Sequence, residues 1–209
     1  MAAPQNPNRG KAMPCRTSSL LLPLLAACLL LAALAVSPAR AADFDLAKLN
    51  EGGTVLLLRH VKAGGADADD FDLNDCRTQR QVGAPGRAQA AVLAARFRAA
   101  GIIAAEVLTS QWCRAKQTAA LLGLGPVTEE PALNYYHWKL GGEAAMNTAL
   151  RRFFAGLEAP APGAPLVLVS HTTAFNVMGL EAPKDGGGLV LKPNGTALPE
   201  VVGTISTPE

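Results

Sequence analysis

The stretch TVLLLRHVKAGG, residues 54–65, decides the fold. Val55 to Leu58 form an unbroken apolar run with no polar alternation. That pattern predicts a central strand covered on both faces. The run then delivers Arg59 and His60 side by side, followed by small residues and glycines. A buried strand that ends on a cation and an imidazole points to a site at its carboxyl end.

Working outward, the same design recurs. EVLTS, 106–110, is a short strand followed by Arg114, and LVLVSH, 166–171, is a second buried-type strand that ends in a histidine. Between them lie alanine-rich helical stretches at 86–101, 113–125 and 142–158, with apolar spacing at Val92, Leu93 and Phe97 in the first. DFDLAKLNEGG, 43–53, reads as a short helical lead-in. GLVLKP and PEVVGTIS read as two partly exposed closing strands. Residues 62–86 and 126–142 read as loops, and APAPGAP, 159–165, as a connector. This order of strands and helices predicts an α/β three-layer sandwich with a mostly parallel central sheet. Ligands of such sheets collect beyond the carboxyl ends of the strands.

Not all of the 209 residues belong to that domain. Arg9, Lys11 and Arg16 precede an apolar run from Leu20 to Val36, and Ala39-Arg40-Ala41 follows. A basic head, an apolar middle and a small-x-small exit make residues 1–41 a signal peptide, cleaved near Ala41. An uncleaved membrane anchor is the rival, and Leu25-Ala26-Ala27-Cys28 resembles a lipoprotein box. Met13 offers a second possible start. Residues 42–209 form the expected domain, in a periplasmic or otherwise exported location. Residues 1–41 hold four basic and no acidic side chains, which leaves 15 basic against 17 acidic in the remainder. That balance lacks the basic stripe of a nucleic-acid-binding protein.

Cys76 and Cys113 remain after the leader, an even pair in a compartment where disulfides persist. Both a bridge and two separate thiols are open. No metal-ligand spacing is present.

If the three strand ends converge, Arg59, His60, Arg114 and His171 meet. Guanidinium forks pair with phosphate oxygens bidentately, and a neutral imidazole can attack phosphorus. Backbone N–H groups after Ser110 would add to the anion's partners. RH after the first strand, SQWCRAKQT at 110–118, and SH at 170–171 together resemble the histidine phosphatase superfamily, also called phosphoglycerate-mutase-like. The resemblance spans residues 54–205. It implies a phosphoglycerate-mutase-like fold and an enzyme, a metal-independent phosphatase without cofactor. His60 would be the phosphorylated nucleophile, and Arg59, Arg114 and His171 would line the phosphate pocket. FDLNDCRTQRQVGAPGRAQA, 71–90, further resembles an exported bacterial branch proposed to act on lipopolysaccharide core phosphates. The implied partner is a small phosphorylated substrate, a sugar or envelope phosphate, with no nucleic acid and no membrane unless the N-terminal segment stays uncut.

The sequence departs from the family pattern in three places. Val61 stands where glycine or alanine is usual and is expected to narrow the pocket. Thr172 replaces the aspartate of the acid-phosphatase branch. Asn134 lies near the place where the mutase branch carries a glutamate. The general acid is therefore open among Glu143, Asp70 and Asp75. A catalytically weak or inactive phosphate- or sugar-phosphate-binding protein is the alternative, and a mutase a weaker one. Trp112 and Phe175 read as packing. His137, Tyr135, Tyr136 and Trp138 either cap the pocket or form an ordinary loop. Lys62, Arg80 and Arg87 either hold an acidic substrate or are solvated charge, and Arg151-Arg152 reads as helix surface.

Overall fold

The computed structural model describes residues 43–208. The expected leader, with its rival anchor and lipoprotein box, lies outside the described residues. Among the described residues no helix is long and apolar enough to cross a membrane.

A 3-10 turn, Leu46–Glu51, opens the chain, with the Asp45 side chain accepting the Ala47 N–H. Then come β1 (Val55–Arg59), β2 (Ala63–Gly64), β3 (Gln81–Val82), α1 (Ala84–Ala99), β4 (Glu106–Thr109), α2 (Cys113–Leu122), β5 (Val127–Glu129), α3 (Gly142–Ala155), β6 (Leu166–Ser170), α4 (Thr172–Asn176), β7 (Gly188–Lys192) and β8 (Glu200–Ile205). Six strands make one sheet in the order β5-β4-β6-β1-β7-β8. The pairings from β5 through β1 are parallel, and β7 and β8 join as antiparallel neighbours.

The missing alternation in β1 has a direct cause. Leu56 and Leu58 pack on one face with Leu93 and Phe97 of α1 and Ala115, Ala119 and Leu122 of α2. Val55 and Leu57 pack on the other with Leu150 and Phe154 of α3 and Phe175 of α4. Every β1 residue from Val55 to Leu58 is fully buried. Each such side chain contributes roughly 1.5–3 kcal/mol through removal from water. The layers are thus helices, sheet, helices, as the sequence predicted.

Several expectations are corrected. Helix α1 begins at Ala84, because Pro85 suits a first helical turn, where its missing N–H costs nothing. Helix α2 stops at Leu122, where Gly123 takes a left-handed conformation, and α3 stops at Ala155. The loop at 62–86 contains the β2–β3 ribbon and a 3-10 turn at Cys76–Thr78. The loop at 126–142 contains β5 and two 3-10 turns. Strand β7 is not partly exposed: Gly188 to Leu191 are buried, since β7 lies between β1 and β8. Of these two closing strands, β8 has the exposed character expected of an edge.

Cys76 and Cys113 are disulfide-bonded, with Cα atoms 5.6 Å apart. The bridge ties the 62–86 segment to the first turn of α2. Gly86 lets the start of α1 pass close to Lys62, whose carbonyl oxygen leaves no room for a Cβ there.

Candidate active site

Sheet register brings the three strand ends together. Arg59 stands opposite Ser170 across β1 and β6, and Thr109 opposite Val169 across β4 and β6. The ladder continues one step past the strands: His60 N–H donates to Ser170 O at 3.0 Å, and Ser110 N–H to Val169 O at 3.0 Å. Arg59, His60, Ser110 and His171 therefore occupy one sheet end, and α2 supplies Arg114 from above it.

These residues enclose a cavity of about 200 Å³, lined by Arg59, His60, Arg80, Arg114, Tyr135, His171 and Thr172. All four predicted site residues are present. The volume suits a phosphoryl group and its nearest atoms rather than a whole large ligand. A larger cleft of about 900 Å³ lies among Leu108, Arg152, Phe153 and Leu166, but its lining holds no histidine, cysteine, serine or threonine.

The geometry fixes the state of His60. Its Nδ1 lies 2.8 Å from the Val61 carbonyl oxygen. A carbonyl only accepts, so Nδ1 carries the proton and Nε2 keeps its lone pair. Burial, opposed by the hydrogen bond that Nδ1–H donates to Val61 and reinforced by repulsion from Arg114, Arg59 and Arg80, lowers the His60 pKa to about 3. At neutral pH the ring is uncharged, with the Nε2 lone pair free. His171 is buried and likewise held neutral, by burial first and then by Arg114 and His60. Its ring centroid is 5.1 Å from that of His60. Its Nε2 lies 2.8 Å from Ser110 Oγ, which also sits 3.0 Å from Asn134 Oδ1. His171 Nδ1 is buried without a hydrogen-bond partner, as are Arg59 Nε and Arg114 Nε. Ser110 Oγ gives its hydrogen to Asn134, so the neutral His171 donates from Nε2 and Nδ1 keeps a lone pair. Buried polar groups are normally satisfied, and the two orphan guanidinium N–H groups beside one small cavity suit an anion.

The arginines are individually braced. Arg59 donates to the Pro183 carbonyl at 2.8 Å and pairs with Asp185 at 2.8 Å. Arg114 is 1% exposed, with its guanidinium 4.5 Å above the Trp112 ring. Burial lowers its pKa to about 10, which leaves it charged. Trp112 is core on one side, stacked on Phe71 at 4.5 Å, and a cation–π shelf on the other.

Sequence reasoning missed Asp67. Its carboxylate accepts from Arg114 Nη1 at 3.2 and 3.4 Å, and Arg80 Nε lies 3.4 Å from its second oxygen. The Arg80 backbone N–H also donates to Asp67 at 2.8 Å. In the sequence Asp67 is one carboxylate among several in an Asp/Gly-rich loop, and nothing distinguishes it from Asp69 or Asp70.

Other expectations are corrected too. None of Glu143, Asp70 and Asp75 lines the cavity. Asp75 is pinned by Arg77 through bonds of 2.7–3.2 Å that hold its carboxyl down to about 2. Glu143 and Asp70 are exposed. Val61 does not narrow the pocket, because its side chain is fully buried in the core on the α1 side. The N–H groups after Ser110 are committed elsewhere: Gln111 to Asn134, Trp112 to Ser110 Oγ, and Cys113 to Gln79 Oε1. Lys62, Arg87, Arg151 and Arg152 are exposed and outside the cavity, while Arg80 lines it. Of the aromatic loop, Tyr135 lines the cavity, His137 packs edge-on to Phe71, and Trp138 is exposed.

A mostly parallel six-stranded α/β sandwich with a basic, histidine-bearing hollow over its strand ends is the phosphoglycerate-mutase-like architecture. Among solved structures, the chain is similar to the protein histidine phosphatase SixA complexed with tungstate, at 16% identity and TM-score 0.52, covering 73% of this chain and 96% of that one. It is similar to the mycobacterial glucosyl-3-phosphoglycerate phosphatase Rv2419c, at 14% identity and TM-score 0.55, covering 74% and 99%. The putative phosphohistidine phosphatase SixA from Agrobacterium tumefaciens matches at 19% identity and TM-score 0.51, covering 75% and 99%. At these identities the likeness is one of fold. No protein-family model matches the chain. No curated protein sequence matches it either.

Proposed function

We propose that the protein is an exported histidine phosphatase that hydrolyses a phosphomonoester through a phosphohistidine at His60, without a metal or cofactor. One observation carries this: His60 Nδ1–H is anchored on the Val61 carbonyl, so Nε2 is a neutral nucleophile in a cavity with three arginines. Arg59 and Arg114 hold the phosphoryl oxygens and stabilise the charge that spreads over them during transfer. His171 closes the hollow as an uncharged wall beside His60. In the first step Nε2 attacks phosphorus and the ester oxygen leaves; in the second, water attacks phosphorus and the N–P bond breaks. The fold-level likeness to two phosphatases supports this reading.

Residues 42–209 act as the exported domain, after cleavage near Ala41. The substrate is a phosphorylated sugar or envelope phosphate, in keeping with the resemblance of residues 71–90 to proteins proposed to act on lipopolysaccharide core phosphates. The Cys76–Cys113 bridge supports an oxidising compartment. N-terminal sequencing of the secreted protein is expected to begin at Ala42; recovery of an uncut chain in the membrane fraction refutes cleavage.

The purified protein is expected to release phosphate from 4-nitrophenyl phosphate in the presence of chelator, and vanadate is expected to block it. His60→Ala is expected to lose about a thousandfold or more in turnover, and with it the acid-quenched phosphoryl label. An unlabelled wild-type protein that binds phosphate without turnover would establish the binding-protein alternative instead.

A further inference from the structure

We propose that Tyr135 is the proton donor to the leaving-group oxygen, and that the protein therefore acts on alkyl phosphomonoesters such as those of sugar alcohols. This rests on the phosphatase reading above.

Loss of an alkoxide from phosphorus needs a proton delivered as the bond breaks. Seven residues line the cavity. His60 is the nucleophile. Arg59, Arg80 and Arg114 are guanidinium cations that hold the anion. His171 is buried with no proton to spare, and the Thr172 hydroxyl is too weak an acid. Asp67, outside that wall, is engaged by Arg114 and Arg80. Arg114, though its pKa is lowered to about 10, is braced by Asp67 and needed as a cation on the phosphoryl oxygens, which leaves Tyr135 as the neutral acid of the lining.

Its position agrees with the role. The Tyr135 ring centroid lies 5.7 Å from that of His171, and the Arg114 guanidinium carbon lies 5.8 Å from the same ring. Tyr135 thus stands over the anion hollow on the side of the 3-10 turn Pro131–Leu133, across from the β1 strand end. Its backbone is held by its neighbour, since Asn134 is 3% exposed and its side chain is bonded to Ser110, Gln111 N and Gln111 Oε1. The groups that face the phenol are Tyr136, Arg114 and Arg80. Burial, with Tyr136, raises its pKa against the opposing pull of the two arginines, so the proton is retained at neutral pH.

In the first step the His60 Nε2 lone pair forms the N–P bond while the P–O ester bond breaks. The Tyr135 O–H proton passes to the departing oxygen, which leaves as an alcohol. The tyrosinate then takes a proton from the water that attacks phosphorus. The N–P bond breaks, phosphate leaves, and His60 and Tyr135 return to their starting states.

The test compares an aryl with an alkyl phosphate. Nitrophenolate leaves without protonation, so Tyr135→Phe is expected to lower activity on 4-nitrophenyl phosphate at least about tenfold less than on an alkyl ester. On glycerol phosphate it is expected to lose about a hundredfold or more, within the usual range for general acid catalysis. In the wild type, kcat/KM for the alkyl ester falls at alkaline pH as the phenol ionises. Deprotonation of Arg114, whose pKa burial lowers to about 10, affects both esters alike; the alkyl ester alone falls further as the phenol ionises, and Tyr135→Phe abolishes that extra fall. Equal loss on both esters, or loss on neither, overturns the proposal. Should the variant not fold, the wild-type profiles decide: alkaline limbs that superimpose for the two esters, with no extra fall for the alkyl ester, overturn it. If the wild type turns over neither ester and carries no label, the phosphatase reading falls with it, a result distinct from either of these.

Discussion

The two halves of the hollow are built by different means. Arg59, His60 and His171 sit on strand ends, where the backbone ladder between β1 and β6 fixes their spacing. Asp67 and Arg80 sit on the 62–86 segment, which has only a two-residue ribbon of its own. Its shape is set one side chain at a time: Gln79 Oε1 accepts from Cys113 N–H at 2.9 Å, Gln79 Nε2 donates to the Asp72 carbonyl at 2.7 Å, and the disulfide closes the set. A strand end inherits the stability of the whole sheet. A segment held by a few bonds depends on each of them.

The sharpest way to break this contrast is to cut the bridge. Cys76 and Cys113 are separated by 37 residues, and closing such a loop is worth about 4 kcal/mol in the chain-entropy account. The Cys76→Ser/Cys113→Ser variant is expected to lose about that much in chemical denaturation and to show a raised KM. Phosphoryl labelling of His60 should persist, because the strand half is untouched. Loss of labelling in a variant that is still folded would show that the halves are not separable.

Acid probes the strand half. His60 titrates near 6.5 when exposed and near 3 in the fold. Below pH 6.5 the unfolded chain therefore binds the extra proton, so stability falls as pH drops through that window and is fully present above it. Between pH 6.5 and 4.5 the loss attributable to His60 is about 2 kcal/mol. The difference between wild type and His60→Asn in urea titrations at the two pH values measures it; an unchanged difference would refute a buried neutral ring.

The smallest effect belongs to Asp67. Its carboxylate competes with a bound anion for Arg114. Asp67→Asn keeps an oxygen for the Arg80 N–H and removes the charge. Competitive inhibition by phosphate is expected to tighten several-fold, about 1 kcal/mol of relieved repulsion across a partly solvated site. Weaker inhibition would mean that Asp67 acts mainly as a brace.

The same division explains what was legible in the sequence. Arg59, His60, Ser170 and His171 could be read because an apolar run announces a strand and a strand announces its end. Their convergence then follows from a parallel sheet. Arg114 was readable because it follows a strand by one helical turn. Asp67 was not, since its role comes from two arginines at positions 80 and 114. The position of Tyr135 comes from the hydrogen bonds of its neighbour Asn134, which periodicity does not register. Val61 misled for a related reason. At the end of a strand, alternation sends neighbouring side chains to opposite sides, and Val61 turns into the core while His60 turns out. The short helix α4 was unseen because five residues carry too little pattern, and β7 was misjudged because strand order, not its own composition, buries it.

The pairing of Arg59 with Asp185 and of Arg80 and Arg114 with Asp67 has a consequence for turnover. With both imidazoles uncharged, three guanidinium groups are offset by two carboxylates, and the hollow carries a single surplus positive charge. Such a site greets a dianion without gripping it. By this count inorganic phosphate is expected to meet one surplus positive charge rather than three, and to inhibit only modestly as a product.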